Sequence, residues 1–297
     1  MALIRVITVF SFLILSTFIF DASAQNKKLY KGQYHRGKNK NPNVTLKGIS
    51  KNELITLFLT TGTATYYGDL SHGKQALIFR PQLGGGAILR TNYFGKRLNF
   101  RADVRIFRLY SDDYFEGRNL DFRSTNWEFI ASGQLDLFGY EKMMRRRTFI
   151  NPYFLLGIGA MTLDPWGSQS NGTWVQLSPL QTEHVDYSKV AFVFTGGFGL
   201  KFRYTYKWSF MLEGYYRFTT SDYIDDASSY DYPPKSSFSD PQAAWMSNKT
   251  GQDPPQGYRG TPKRNDGYMM LSVGVAYTFT KNHKPKFHND KTLLRKN

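Results

Sequence analysis

Apolar and polar residues alternate with a period of two along most of this chain, and the 3.6-residue period of an amphipathic helix is nearly absent. Over 98–107, Leu98, Phe100, Ala102, Val104 and Ile106 alternate with Asn99, Arg101, Asp103, Arg105 and Phe107. Over 126–137, Trp127, Phe129, Ala131, Gly133, Leu135 and Leu137 alternate with Asn126, Glu128, Ile130, Ser132, Gln134 and Asp136. Over 210–218, Phe210, Leu212, Gly214, Tyr216 and Phe218 alternate with Met211, Glu213, Tyr215 and Arg217. Successive strand side chains point to opposite faces, so each segment has an apolar face and a face that carries charge in mid-strand.

The pattern predicts eight strands, at 53–66, 76–90, 97–110, 124–139, 150–163, 189–204, 207–220 and 267–280. A soluble sandwich shares the alternation; the joins separate the two folds. The first, third, fifth and seventh joins (67–75, 111–123, 164–188 and 221–266) are polar and run from 9 to 46 residues, and the others (91–96, 140–149 and 205–206) are shorter as a group, from 2 to 10. Outer-membrane barrels sort their connections in this way, with short turns on the periplasmic rim and long loops outside. Each segment also meets the roughly 9–11 residues that a tilted strand needs to cross the hydrocarbon layer. The expected fold is all-β, an eight-stranded antiparallel transmembrane β-barrel with short periplasmic turns and long extracellular loops. Its last strand, with Leu271, Val273, Val275, Tyr277 and Phe279 on one face, must pair with the first. Only closure removes a backbone edge that lipid cannot satisfy.

Composition agrees. Aromatics make up 16% of the chain while mean hydropathy is only −0.46, the balance of a barrel rather than of a soluble domain. Tyr110, Tyr153, Tyr204, Tyr206, Trp208, Tyr216 and Tyr277 fall near strand ends, where amphipathic rings suit the membrane interfaces. With 0 Cys, disulfides and thiolate metal sites are excluded. Residues 1–24 read as a secretory signal peptide: Arg5, an apolar run from Val6 to Phe20, then Ala22-Ser23-Ala24. The expected order is signal peptide 1–24, basic periplasmic arm 25–52, barrel 53–280 and basic periplasmic tail 281–297, with the barrel in the outer membrane.

An eight-stranded barrel is just wide enough for its own side chains. The face expected to turn inward carries Arg80, Arg101, Arg105, Lys201, Arg203 and Arg217 against Asp103, Glu128, Asp136 and Glu213. Charges in a dry lumen must pair, so a salt-bridged plug is expected rather than a pore.

The net charge of +16 is not spread evenly. Residues 25–52 hold eight basic residues and no acid. The tail 281–297 holds six, Lys281, Lys284 and Lys286 among them, against Asp290 alone. The join 140–149 holds Lys142, Arg145, Arg146 and Arg147 against Glu141. The surplus of these three segments equals the whole +16, and an even strand number puts all three on the periplasmic rim. Such a field attracts acidic partners or anionic lipid headgroups. An exported barrel does not meet nucleic acid, and none is expected as a partner.

Candidate chemistry is sparse. His72 near Asp69, and His184 near Asp186, fall in outer joins, but no set of nucleophile, base and orienting group has a recognisable spacing. Gly84-Gly85-Gly86 precedes no helix and cradles no phosphate. The run Asp222-Tyr223-Ile224-Asp225-Asp226 has oxygen ligands for Ca²⁺ but not EF-hand spacing, and solvated loop carboxylates are expected there. No enzyme activity, cofactor or small-molecule substrate is expected.

Several phrases then combine: Tyr66-Tyr67-Gly68-Asp69-Leu70; Arg118-Asn119-Leu120-Asp121-Phe122-Arg123-Ser124; Pro152-Tyr153-Phe154 leading to Gly157-Ile158-Gly159; and the stretch from Gly214 to Asp226 ending Asp222-Tyr223-Ile224-Asp225-Asp226. In this order, over about 53–280, they resemble the PorG-like outer-membrane barrels of the type IX secretion system. The resemblance implies a non-enzymatic barrel that ties a periplasmic ring of PorK- and PorN-like proteins to the outer membrane, in a machine that serves export and, in some bacteria, gliding motility. The alternative is a stand-alone OmpA- or OmpW-like barrel for membrane integrity or passage of small apolar solutes.

Overall fold

The structure is a computed structural model that describes residues 55–70, 80–91, 93–112, 118–139, 149–205, 207–253, 255, 257–262 and 265–279. The expected signal peptide 1–24, the basic arm 25–52, and the basic residues Lys142, Arg145, Arg146, Arg147, Lys281, Lys284 and Lys286 lie outside the described residues.

Eight long strands close on themselves: β1 (Ile55–Tyr67), β2 (Arg80–Arg90), β3 (Leu98–Asp112), β4 (Asp121–Asp136), β5 (Ile150–Thr162), β8 (Val190–Arg203), β9 (Trp208–Thr219) and β10 (Gly267–Thr278). Each pairs antiparallel with the next, and β10 returns to β1 from Thr56 opposite Thr278 to Tyr67 opposite Gly267. The two-residue period follows from this closure, since one face of every strand meets the lumen and the other meets lipid. Leu59, Phe100, Phe129, Phe154, Leu156, Phe192, Phe198 and Leu271 are exposed on the outer wall, while Arg101, Arg105, Glu128, Glu213 and Arg217 are buried inside. An apolar wall around a charged interior is the reverse of a water-soluble domain and is what a bilayer requires. The chain is a transmembrane β-barrel of the outer-membrane type. No described helix is long and apolar enough to cross a membrane; the strands do so.

Inward glycines make room for the large lumen side chains. A Cβ at Gly199 would stand 2.4 Å from the Tyr153 ring, and one at Gly84 would stand 2.5 Å from Arg105 Cγ. Aromatic contacts mark both rims: Trp208 with Tyr277 and Tyr277 with Phe279 at the short-turn end, Tyr67 with Tyr216 and Tyr110 with Trp174 at the long-loop end. Tyr153, grouped in sequence with the interface rings, is instead buried in the lumen, because its hydroxyl bonds Glu213. Arg80 likewise leaves the inward set: its guanidinium lies 4.2 Å from the centre of the Tyr110 ring at the long-loop rim.

The long joins are not featureless. The strands β6 (Pro165–Ser168) and β7 (Trp174–Gln176) form a small hairpin that extends from β4 through Arg123 opposite Trp166. Among the described residues one α-helix, α1 (Pro241–Ser247), starts at Asp240, whose carboxylate accepts from the Gln242 N–H at 2.8 Å.

Candidate functional site

The lumen holds three polar layers. At mid-height Arg101 of β3 reaches across to Glu213 of β9, and its Nε and Nη2 also grip Asp103 at 2.9–3.1 Å. Arg105 Nη2 donates to Asp103 at 3.1 Å and lies 3.8 Å from Glu213. The Tyr153 and Tyr215 hydroxyls both donate to the same Glu213 carboxylate. Towards the long-loop rim Arg217 meets Glu128 with two parallel bonds of 3.0 and 3.1 Å, and Thr195 and Tyr268 complete the two partners. Towards the short-turn rim Asp136 accepts from Asn99 at 3.1 Å and Gln134 at 2.6 Å, and Lys201 stands 3.9 Å away. The four carboxylates Asp103, Glu128, Asp136 and Glu213 are thus matched by Arg101, Arg105, Lys201 and Arg217. The pairs Arg101–Glu213 and Arg217–Glu128 cross between strands that are not neighbours in the sheet, so they brace the barrel through its centre and fill the path along its axis.

A second buried polar cluster, not anticipated from sequence, caps the long-loop rim. Arg259 is its hub. Its Nε donates to Glu183 at 2.8 Å, its Nη1 to the Ser247 carbonyl at 3.1 Å, and its Nη2 to Thr182 and the Asp226 carbonyl at 2.8 Å each. Arg118 donates to the Arg259 and Asp69 carbonyls. The carboxylates accept from loop amides: Asp69 from Thr261, Asp266 from Ile224, Asp225 from Ala227, and Glu183 from Ser228 and Ser229. All four long joins meet here. The run 222–226, expected to be solvated, is therefore largely buried, because these carboxylates replace water as acceptors for loop backbone.

The cap's electrostatics follow from that burial. Desolvation pushes the Asp222 carboxyl up to about 7. It pushes Asp226 up to about 6 even though Arg259 pulls the other way. Asp69 is raised too, and Asp225 and Asp266 are raised by burial and then by neighbouring carboxylates. Geometry agrees: the Tyr66 hydroxyl lies 2.6 Å from both Asp225 Oδ2 and Asp266 Oδ1. One hydroxyl hydrogen can serve only one of them, so the other contact needs a carboxyl that carries its own proton and donates back. Among the described residues no group of acidic and histidine side chains is arranged to hold a metal ion.

His184 Nε2 lies 2.7 Å from the Ser237 hydroxyl, but that hydroxyl donates to the Pro234 carbonyl and the imidazole stacks on Phe238. The other ring nitrogen has no carboxylate partner among the described residues, so the pair lacks the third group that would orient a base. His72 lies outside the described residues.

No protein-family model matches the chain, and no curated protein matches it. Among solved structures it is similar to Neisserial surface protein A, with 12% identity and a TM-score of 0.41 over 76% of this chain and 97% of that one. It is similar to the attachment invasion locus protein Ail of Yersinia pestis, with 13% identity and a TM-score of 0.36 over 76% and 99%. A major outer membrane protein of Thermus thermophilus gives 10% and 0.41 over 76% and 99%. The assignment as an outer-membrane-type barrel rests on the closed strand pairing and the apolar wall.

Proposed function

We propose that this chain is a non-enzymatic outer-membrane component of the type IX protein secretion machinery, exported by its signal peptide, that anchors a PorK/PorN-like periplasmic ring through a basic periplasmic face. The carrying observation is one of placement. The strand ends that adjoin the three basic segments, at Ile55, between Asp136 and Ile150, and at Thr278, all lie on the short-turn rim. That rim is the periplasmic one in this kind of barrel. The segments that carry the whole surplus of positive charge therefore connect in sequence to one rim of a barrel whose axis is filled by paired side chains, which suits holding an acidic assembly better than passing a solute. The resemblance of the quoted phrases to PorG-like barrels names the machine; charge and topology alone name only an adaptor.

Deleting the gene and measuring secretion and permeability separately tests this reading. Export of type IX cargo should fall, periplasmic ring proteins should co-purify with the wild-type barrel in mild detergent, and uptake of small solutes should not change. A deletion that alters permeability and leaves export intact would replace the adaptor by the OmpA- or OmpW-like alternative.

A further inference from the structure

Among the described strand residues, charged side chains on the outer wall are confined to one place, the long-loop end of the β3–β4 pair, where Arg80 of the neighbouring β2 also lays its guanidinium 4.2 Å from the centre of the Tyr110 ring. From the middle of the wall outwards, the outward pairs run Val104–Phe129, Ile106–Trp127, Arg108–Thr125, Tyr110–Arg123 and Asp112–Asp121. The apolar band thus ends at Ile106 and Trp127, and two guanidinium groups stand immediately above it. A cation on the lipid face is costly at mid-membrane and tolerated at headgroup level, which is where these two lie. Arg108 and Arg123 are both exposed and neither has an ion-pair partner among the described residues. The acids beside them are engaged: Asp121 holds Lys249 Nζ at 2.5 Å, and Asp112 interacts electrostatically with Tyr110 and Arg80. The Arg123 guanidinium carbon stands 4.3 Å from the centre of the Trp174 ring, a cation–π contact that occupies none of its N–H groups.

From this arrangement we infer that the β3–β4 wall is a binding site for the sugar-linked phosphate of an outer-leaflet glycolipid of the lipid A type. Arg108 and Arg123 sit diagonally on adjacent strands, about 7–8 Å apart at their backbones, so both side chains can close on one phosphate. Guanidinium is the group best matched to phosphate oxygens, by two-pronged hydrogen bonds. Acyl chains then lie along Ile106, Trp127, Val104 and Phe129, and the phosphate meets the guanidinium pair above them. The site needs only the membrane-spanning barrel with its long loops outside, and does not depend on the secretion role.

Native mass spectrometry of the full chain in mild detergent tests the site, with lipid A, the same lipid stripped of phosphate, and phosphatidylglycerol as probes. The wild type should retain lipid A about tenfold better than the stripped lipid, with retention falling as ionic strength rises. Arg108→Gln with Arg123→Gln should bring lipid A down to the level of the stripped lipid, while Lys189→Gln, another exposed cation at the same rim, should change nothing. Equal retention of lipid A and its stripped form overturns the proposal, whether or not the double variant folds. An unaffected double variant overturns it as well. Stronger retention of phosphatidylglycerol than of lipid A overturns the glycolipid assignment.

Discussion

Arg217 and Glu128 face each other across the lumen, Nε and Nη2 of one donating to Oε2 and Oε1 of the other at 3.1 and 3.0 Å. They belong to β9 and β4, which are not neighbours in the sheet, so the pair ties opposite walls. Glu128→Ala would leave a buried guanidinium without its carboxylate, at a cost of about 3–5 kcal/mol. Arg101→Ala and Glu213→Ala should behave alike. Leu271→Ala, on the lipid wall, exchanges one apolar contact for another and should cost far less. The temperature at which the barrel loses its compact gel mobility measures the difference. A larger loss for Leu271→Ala than for Glu128→Ala would mean that these ion pairs do not brace the fold. Replacing both partners, Glu128→Leu with Arg217→Met, should restore much of the loss, since no orphan charge remains.

The strand faces were legible because a period of two is a local property: each residue of β3 reports its own side of the sheet. Which charges meet was not legible, since Arg101 finds Glu213 only through the stagger of strands far apart in sequence. The cap was hidden for a related reason. Asp69, Asp225, Asp266 and Glu183 look like ordinary loop acids, and their burial is set by amides of Thr261, Ala227, Ile224 and Ser229 that no periodicity announces. The helix α1, seven residues long, is too short to display a helical stripe. Of the phrases quoted from the sequence, Tyr66, Asp69, Leu70, Arg118, Leu120, Phe122, Asp225 and Asp226 lie in or beside this cap, as in the edge-on contact of Tyr66 with Phe122 at 4.8 Å, while its hub Arg259 and the partner Glu183 fall outside them.

The cap should loosen as pH rises. An unfolded Asp carboxyl titrates near 3.9. In the cap Asp222 is raised to about 7 and Asp226 to about 6, with Asp225 and Asp266 raised as well. Between about pH 4 and the raised values the folded cap binds more protons than the open one, so its stability falls with pH across that window and levels off above it. Exchange of the Ile224 and Ala227 amides, corrected for intrinsic rate, should speed up about tenfold or more between pH 5 and pH 8. Asp225→Asn supplies a fixed N–H in place of the shared proton and should flatten the profile. Exchange independent of pH would show that no proton is held between Asp225, Tyr66 and Asp266.

Topology can be read with single cysteines, because the chain has 0 of its own. Ser239→Cys lies on an exposed part of the longest join, and Asn289→Cys lies in the basic tail. A membrane-impermeant maleimide on intact cells should label the first and reach the second only after the outer membrane is opened. Labelling of position 289 from outside would place the basic segments on the cell surface and remove the argument for a periplasmic partner.

If the basic rim is the docking surface, its charge should govern partner recovery without touching the barrel. Arg145, Arg146 and Arg147 fall between β4 and β5 in the sequence, and residues 281–297 follow β10, so changing them alters no residue of the eight described barrel strands. Reversing the three arginines to glutamate, or deleting 281–297, should leave the heat-modified gel mobility of the barrel unchanged. Recovery of ring proteins in mild detergent should fall by about tenfold for the triple reversal, because three favourable rim charges become three unfavourable ones. Charges on a rim act through a field that salt screens over about 8 Å at physiological ionic strength. Wild-type recovery should therefore decline between low and physiological salt, and the reversed variant should lose most of that dependence. Export of type IX cargo should fall in step with recovery. Should recovery and export both survive the reversal, the excess charge would be serving the anionic headgroups of the inner leaflet, and the ring, if one binds, would have to engage the uncharged turn segments 91–95 and 205–206.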